Sequence, residues 1–169
     1  ILDVDGVLTR GEIVYDDKGR HLKVFNVKDG LGVALLSSLG IQTVLLSSKV
    51  SPVLARRAKD MKAVEVIDGA FPKEERLPNI LKKYKVKIQE VCFVGDDLLD
   101  LELIKVVGLG IAVADASAMV RKAADYVTLK PGGQGAVREV ADLIVKYKGL
   151  ENKIVEFLKR PGKKVDFKT

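Results

Sequence analysis

Residues 90–100 read Glu-Val-Cys-Phe-Val-Gly-Asp-Asp-Leu-Leu-Asp. The run Glu90–Val94 is short, and its apolar residues do not alternate with polar ones. It suits a strand buried on both faces. It stops at Gly95 and presents Asp96, Asp97 and Asp100, where a helical pattern begins. A strand covered on both sides, with polar groups at its carboxyl end, belongs to a parallel α/β sheet. Outward from it, short runs rich in Val, Ile and Leu alternate with helical patterns. Strands are expected at Ile1–Asp3, Glu12–Tyr15, Leu22–Phe25, Gln42–Ser47, Val64–Ile67, Leu109–Val113 and Tyr126–Thr128. Helices are expected at Leu31–Leu39, Pro52–Met61, Lys73–Tyr84, Asp97–Val107, Ala118–Ala124, Ala136–Lys148 and Leu150–Leu158. Pro78 fits the third of these only in a first helical turn.

One stretch departs from the alternation. Two strand-like segments flank Asp16-Asp17-Lys18-Gly19, which reads as a β-hairpin set where a helix would normally follow the first strand. Such a hairpin is not stable alone and is expected to pack on something, a second subunit being one choice.

Composition narrows the class. With 169 residues, the chain holds about one domain; residues 1–149 are expected to form it and 150–169 a basic tail. Hydrophobic residues at 47% supply a core, which argues against disorder as the main state. No apolar run reaches the roughly 20 residues of a membrane helix, so no membrane partner is expected. The single cysteine, Cys92, excludes an internal disulfide and a cysteine zinc site, and one histidine, His21, excludes a histidine metal cluster. The net charge is +6, but residues 146–169 hold eight basic against three acidic side chains, so the excess lies in the tail. With aromatics at 5% and the remainder near neutral, no nucleic-acid groove is expected. The chain starts at Ile1 rather than Met, and further residues are expected upstream. With no evident export signal and one reduced cysteine, a cytoplasmic location is expected.

Functional groups collect at the strand ends. The first expected strand runs into Asp3-Val-Asp5-Gly6-Val-Leu-Thr9, the next parallel one ends in Ser47-Ser48-Lys49, Lys73 follows the third, and Gly95-Asp96-Asp97 follows the fourth. Singly, each has an ordinary explanation: an N-cap, a loop, a solvated charge. Together they bring acids, a hydroxyl and an ammonium to one rim. Asp3, Asp5, Asp96 and Asp97 in one crevice repel each other, and a hard divalent cation relieves this; all-oxygen ligands suit Mg²⁺. Mg²⁺ in turn attracts phosphate, for which Ser47 and Lys73 supply further donors. This is a constellation for phosphoryl transfer, and no Ser-His-Asp set can be assembled around His21.

The motifs Asp3-Val-Asp5-Gly-Val-Leu-Thr9, Ser47, Lys73 and Gly95-Asp-Asp-Leu-Leu-Asp100 resemble the four motifs of the haloacid dehalogenase-like (HAD) phosphatases. The chain resembles most closely their capless branch acting on 3-deoxy-D-manno-octulosonate 8-phosphate (KDO 8-phosphate). Phe25-Asn-Val-Lys-Asp-Gly-Leu-Gly32, Arg57-Ala58 and Gly132-Gly-Gln-Gly-Ala-Val-Arg-Glu139 carry that closer likeness. The resemblance implies a Rossmann-like parallel sheet with helices on both faces, the hairpin after the first strand, and no cap domain.

It also implies roles. Asp3 would be the nucleophile, forming an aspartyl-phosphate, and Asp5 the general acid and then base. Mg²⁺ would be held by the Asp3 and Asp96 side chains and the Asp5 backbone carbonyl, with Asp97 supporting that shell, while Asp100 would bond locally or cap the helix. Ser47 and Lys73 would hold the phosphoryl oxygens, and Gly6 would admit the phosphate close to the backbone. Substrate contacts would come from Asn26, Val27, Lys28, Asp29, Gly30, Ser48, Lys49 and Arg57. Where the family commonly has Thr-Gly-Arg, this chain has Ser47-Ser48-Lys49, which keeps the hydroxyl and exchanges a guanidinium fork for a point charge. Without a cap, cover for the site would come from neighbours in a homotetramer. The hairpins would pair there, and Gly132–Glu139 would lie by an active site, a neighbour's by this reading. The implied reaction is hydrolysis of KDO 8-phosphate for lipopolysaccharide synthesis. A sialic-acid-type 9-phosphate or another sugar phosphate is the alternative substrate, and a phospho-acceptor or regulatory module on the same scaffold is the alternative of another class.

Overall fold

The computed structural model describes residues 1–159. Among the described residues there are seven strands: β1 (Val14–Tyr15), β2 (His21–Leu22), β3 (Val44–Leu46), β4 (Glu65–Ile67), β5 (Cys92–Gly95), β6 (Leu109–Ala112) and β7 (Tyr126–Val127). The α-helices among them are α1 (Val27–Ser38), α2 (Pro52–Met61), α3 (Leu77–Tyr84), α4 (Leu101–Val106), α5 (Ala118–Ala123), α6 (Ala136–Tyr147) and α7 (Glu151–Lys159).

β3 pairs with β4, and β5 with β6 and then β7, all parallel. The two groups join through Leu2, which bridges Leu45 on one side and Val94 on the other. The resulting order is β4-β3-Leu2-β5-β6-β7. The expected first strand, Ile1–Asp3, lies at the sheet centre: Leu2 N–H donates to the Val44 carbonyl and Leu46 N–H to that of Leu2 on one side, while Val94 N–H donates to the Ile1 carbonyl and Asp3 N–H to that of Val94 on the other. Beyond Asp3 the backbone leaves the ladder, and Leu8 and Thr9 N–H both turn back to the Val4 carbonyl. Phe93 and Val94 are adjacent in β5, point to opposite faces, and are both fully buried, so helices cover both faces. This is the expected α/β architecture. Leu2, Val4, Leu45, Leu46, Phe93 and Ile111 form the centre of its core.

Three helix boundaries differ from expectation for local reasons. α1 starts at Val27 rather than Leu31, because Asn26 is its N-cap: the backbone there is extended and Oδ1 accepts from Lys28 N–H at 2.8 Å. The helix expected from Lys73 begins with a 3₁₀ turn at Glu74–Arg76, and Pro78 then sits in the first turn of α3. The helix expected from Asp97 likewise opens as a 3₁₀ turn, Leu98–Asp100, because Asp97 caps Leu98 N–H and Asp100 turns back.

The hairpin forms, with Tyr15 opposite His21 and the Asp16 carboxylate accepting from Lys18 and Arg20 N–H. Its strands are shorter than expected and exposed. α1 and α6 lie against each other. Gly32 allows this, since a Cβ there would sit 3.0 Å from Arg138 Cα. α7 is the expected short amphipathic helix, and Leu150 and Ile154 dock it on Leu36, Ala141 and Val145. The basic end expected at Lys159–Thr169 lies, beyond Lys159, outside the described residues. Among the described residues no helix is long and apolar enough to cross a membrane.

Candidate active site

Asp3, Ser47, Lys73 and Asp96 stand at the carboxyl ends of the central segments of the sheet. Asp3 follows Leu2, Ser47 follows β3, Lys73 lies beyond β4, and Asp96 follows β5. All but Asp96 are nearly inaccessible, as is Asp100 at 1%. The Lys73 ammonium lies between two carboxylates, at 2.5 Å from Asp3 Oδ1 and 2.6 Å from Asp100 Oδ1. The other Asp100 oxygen accepts from Asp96 N–H at 2.9 Å and from Asp97 N–H at 3.4 Å. Asp100 thereby shapes the turn that aims Asp96.

Carboxylate oxygens of Asp3, Asp96 and Asp100 come within 4.8 Å of one another. One ammonium does not balance three carboxylates, and their crowding raises two of them. Burial and the Asp3 and Asp100 carboxylates push Asp96 up to about 8. Burial and Asp100 push Asp3 up to about 6, against the opposing pull of Lys73. Burial alone would lower Lys73, but Asp3 and Asp100 hold it above its ordinary value. A residual negative charge ringed by oxygen donors fits Mg²⁺. Asp3 and Asp96 are the side chains that would hold it, with Asp100 beside them. Two glycines keep the space open: a Cβ at Gly6 would collide with the Asp96 carboxylate, and one at Gly95 would meet Asp100 at 2.6 Å. Gly6 also has φ +96°, which suits only glycine well.

The structure does not bring every expected acid into this cluster. Asp97 is exposed and its carboxylate caps Leu98 N–H. The Asp5 side chain turns to the hairpin, where Lys23 Nζ donates to Oδ1. Ser47 is buried, and its hydroxyl donates to the Lys49 carbonyl at 3.0 Å. The Ser48 hydroxyl is buried with no partner among the described residues, while Lys49 is exposed.

The expected substrate segment divides in two. Asn26 caps α1 and donates through Nδ2 to the Gly133 carbonyl at 3.3 Å, while Val27 and Lys28 are exposed. Asp29, expected among the substrate contacts, is instead fully buried and committed to α6. Its oxygens accept from Arg138 N–H at 2.9 Å and Gly135 N–H at 3.2 Å, and burial pushes its carboxyl up. It neutralises the positive end of the α6 dipole. Arg57 donates to the Asn26 carbonyl at 2.9 Å, lies 5.4 Å from the Phe25 ring centre, and leaves Nε without a partner among the described residues. Gly30 makes room for it. Gly132–Glu139, expected beside a neighbour's site, begins against this chain's own first loop. Gly133 N–H donates to the Val7 carbonyl at 2.7 Å, and a Cβ on Gly132 would collide with the Gly6 carbonyl.

Sequence reasoning missed two contributors. Asp100 was expected only as a local cap, yet it is the second partner of Lys73; its spacing of four from Asp96 is the signal that was available. Lys23 carried no signal, because nothing local says that the hairpin folds back onto Asp5.

Comparison with known proteins finds relatives over most of the chain. Residues 45–140 match the model of the haloacid dehalogenase-like hydrolases. The chain is 40% identical over 149 residues to the 3-deoxy-D-manno-octulosonate 8-phosphate phosphatase of Haemophilus influenzae, covering 88% of this chain and 83% of that one. It superposes with TM-score 0.88 on the corresponding Moraxella catarrhalis phosphatase in complex with magnesium, phosphate and KDO, at 37% identity, covering 92% and 90% of the two chains. The cobalt-bound phosphatase of Haemophilus influenzae superposes with TM-score 0.86 at 38% identity, covering 94% of each chain.

Proposed function

Because the chain belongs to the haloacid dehalogenase-like hydrolase family, we propose that it is a Mg²⁺-dependent phosphatase that releases phosphate from KDO 8-phosphate. The observation that carries the reading is the buried Asp3–Lys73–Asp100 chain beside Asp96, at the sheet's carboxyl edge.

In this reading Mg²⁺, when bound, offsets negative charge on the phosphoryl oxygens and keeps Asp3 ionised. Asp3 attacks phosphorus and forms the Asp3 oxygen–phosphorus bond as the bond to the sugar oxygen breaks. Asp5 gives its proton to that oxygen, so the sugar acid leaves as an alcohol. Asp5 then takes a proton from the attacking water, and the Asp3–phosphorus bond breaks to release phosphate and restore the carboxylate. Lys73 and the Ser47 hydroxyl steady the oxygens around phosphorus. Arg57, Lys49, Lys28 and Ser48 are the proposed donors for a sugar acid, whose carboxylate calls for cations beyond those on the phosphate.

The reading includes a homotetramer in the cytoplasm, with residues 1–149 as the catalytic domain and 150–169 as accessory. Its support is the hairpin, which leaves Ile13 60%, Tyr15 64% and Val24 68% exposed beside a site that no cap shields. Phosphate release from KDO 8-phosphate, a sialic acid 9-phosphate and simple sugar phosphates, with Mg²⁺ and with EDTA, tests the reading. A Mg²⁺-dependent preference for KDO 8-phosphate is the expected result. Preference for another ester moves the specificity to Ser48 and Lys49, and no release with a stable phospho-Asp3 overturns the enzyme reading.

A further inference from the structure

We propose that Lys23 is a positioning residue for Asp5, fixing one oxygen of its carboxyl group so that the other faces the scissile ester oxygen. The inference rests on the acid–base reading of Asp5 and adds the group that aims it.

The hairpin reverses the usual order of burial. Leu22 is 46% exposed and Val24 is 68% exposed, yet the Lys23 side chain between them is only 3% exposed. Burying an ammonium while leaving its apolar neighbours in water costs free energy unless a partner compensates. The partner is Asp5, 18 positions earlier in the chain, and among the described residues the Asp5 carboxylate makes no other hydrogen bond. Lys23 lines a small cleft together with Thr9, Arg10, Glu12, Leu22 and Val24. Thr9 steadies that lining by accepting from Gly6 and Gly11 N–H, each at 3.3 Å.

A carboxyl group with one oxygen tethered has lost most of its freedom about the Cβ–Cγ bond. Lys23 holds Oδ1, so proton delivery falls to Oδ2. Without that tether Asp5, 31% exposed, turns freely toward solvent. General acid catalysis depends on such alignment, and its demand scales with the leaving group. An alkoxide from a sugar needs the proton, whereas p-nitrophenolate leaves without one.

The test compares kcat/KM for KDO 8-phosphate and p-nitrophenyl phosphate, because kcat/KM reports only the steps through departure of the leaving group. Lys23→Met, which keeps the side chain's length, is expected to lose about tenfold on KDO 8-phosphate and less than about threefold on p-nitrophenyl phosphate. Lys23→Arg, which retains a donor, is expected to fall between the wild type and Lys23→Met. Lys18→Met, in the exposed turn of the same hairpin, is expected to leave both values unchanged. Asp5→Asn is expected to show the same split between esters, at about a hundredfold. An equal loss on both esters in Lys23→Met, or none on either, overturns the assignment while Asp5→Asn keeps its split. If Asp5→Asn shows no split, the acid role of Asp5 is overturned and the assignment of Lys23 falls with it.

Discussion

Lys73 Nζ meets Asp100 Oδ1 at 2.6 Å inside the protein, and the same ammonium reaches Asp3. One cation thus joins Asp3, the proposed nucleophile, to the carboxylate that shapes the Asp96 turn. Both acids are buried, so neither can find a substitute partner in water.

Lys73→Met leaves the buried Asp3 and Asp100 carboxylates, with Asp96 beside them, without a compensating cation. Removing one partner from a buried ion pair costs about 3–5 kcal/mol. The expected result is a lower melting temperature in EDTA and a loss of about a hundredfold or more in kcat, since the donor proposed for the phosphoryl oxygens goes with it. Thermal unfolding and steady-state kinetics check the two parts. An unchanged melting temperature would contradict the buried-bridge geometry.

The metal-free protein is expected to lose stability as pH rises. Asp96 is pushed up to about 8 and Asp3 to about 6, against an ordinary value of 3.8 in the unfolded chain. Between these values the folded state holds more protons than the unfolded state, so stability falls with rising pH from about 4 to about 8. Mg²⁺ binds the ionised form and opposes the fall. Melting in EDTA and in Mg²⁺ across that range checks this. Asp96→Asn should flatten the EDTA curve, and a flat curve for the unaltered protein would contradict the crowding of the acids.

Asp29→Ala strips the acceptor from Gly135 and Arg138 N–H at the start of α6. Hydrogen bonds to a charged group contribute about 1.5–3 kcal/mol, and the donors are left orphaned in a buried place. A drop of roughly 5–10 °C in melting temperature follows for a chain of this size. Asp29→Asn, which keeps an acceptor oxygen, should lose less. Equal loss in both variants would argue against the helix-capping role.

The order of legibility follows the range of the interactions. The parallel sheet was readable because Glu90–Val94 and its relatives carry their burial in local composition. Asp3, Ser47, Lys73 and Asp96 were readable because strand ends converge in such a sheet. Asp29 was not, since its partner amides are 106 and 109 positions away and no pattern within its own helix separates an acid facing α6 from one facing substrate. Lys23 failed for the same reason. The start of α1 was missed although its signal was local: Asn26 caps it, and the apolar pattern alone suggested a later start at Leu31.

The hairpin's exposed face carries the last prediction. A two-stranded hairpin is marginal on its own, yet Ile13, Tyr15, Leu22 and Val24 present apolar surface from this one. If those side chains meet other copies of the chain, Ile13→Asp combined with Val24→Asp places like charges in the contact and should dissociate the assembly, as light scattering would show. The same hairpin holds Lys23 against Asp5, so loosening it should also lower kcat/KM for KDO 8-phosphate more than for p-nitrophenyl phosphate. A dissociated protein with full activity on both esters would break the link between assembly and site, and an assembly unchanged by both substitutions would move the contact elsewhere on the surface.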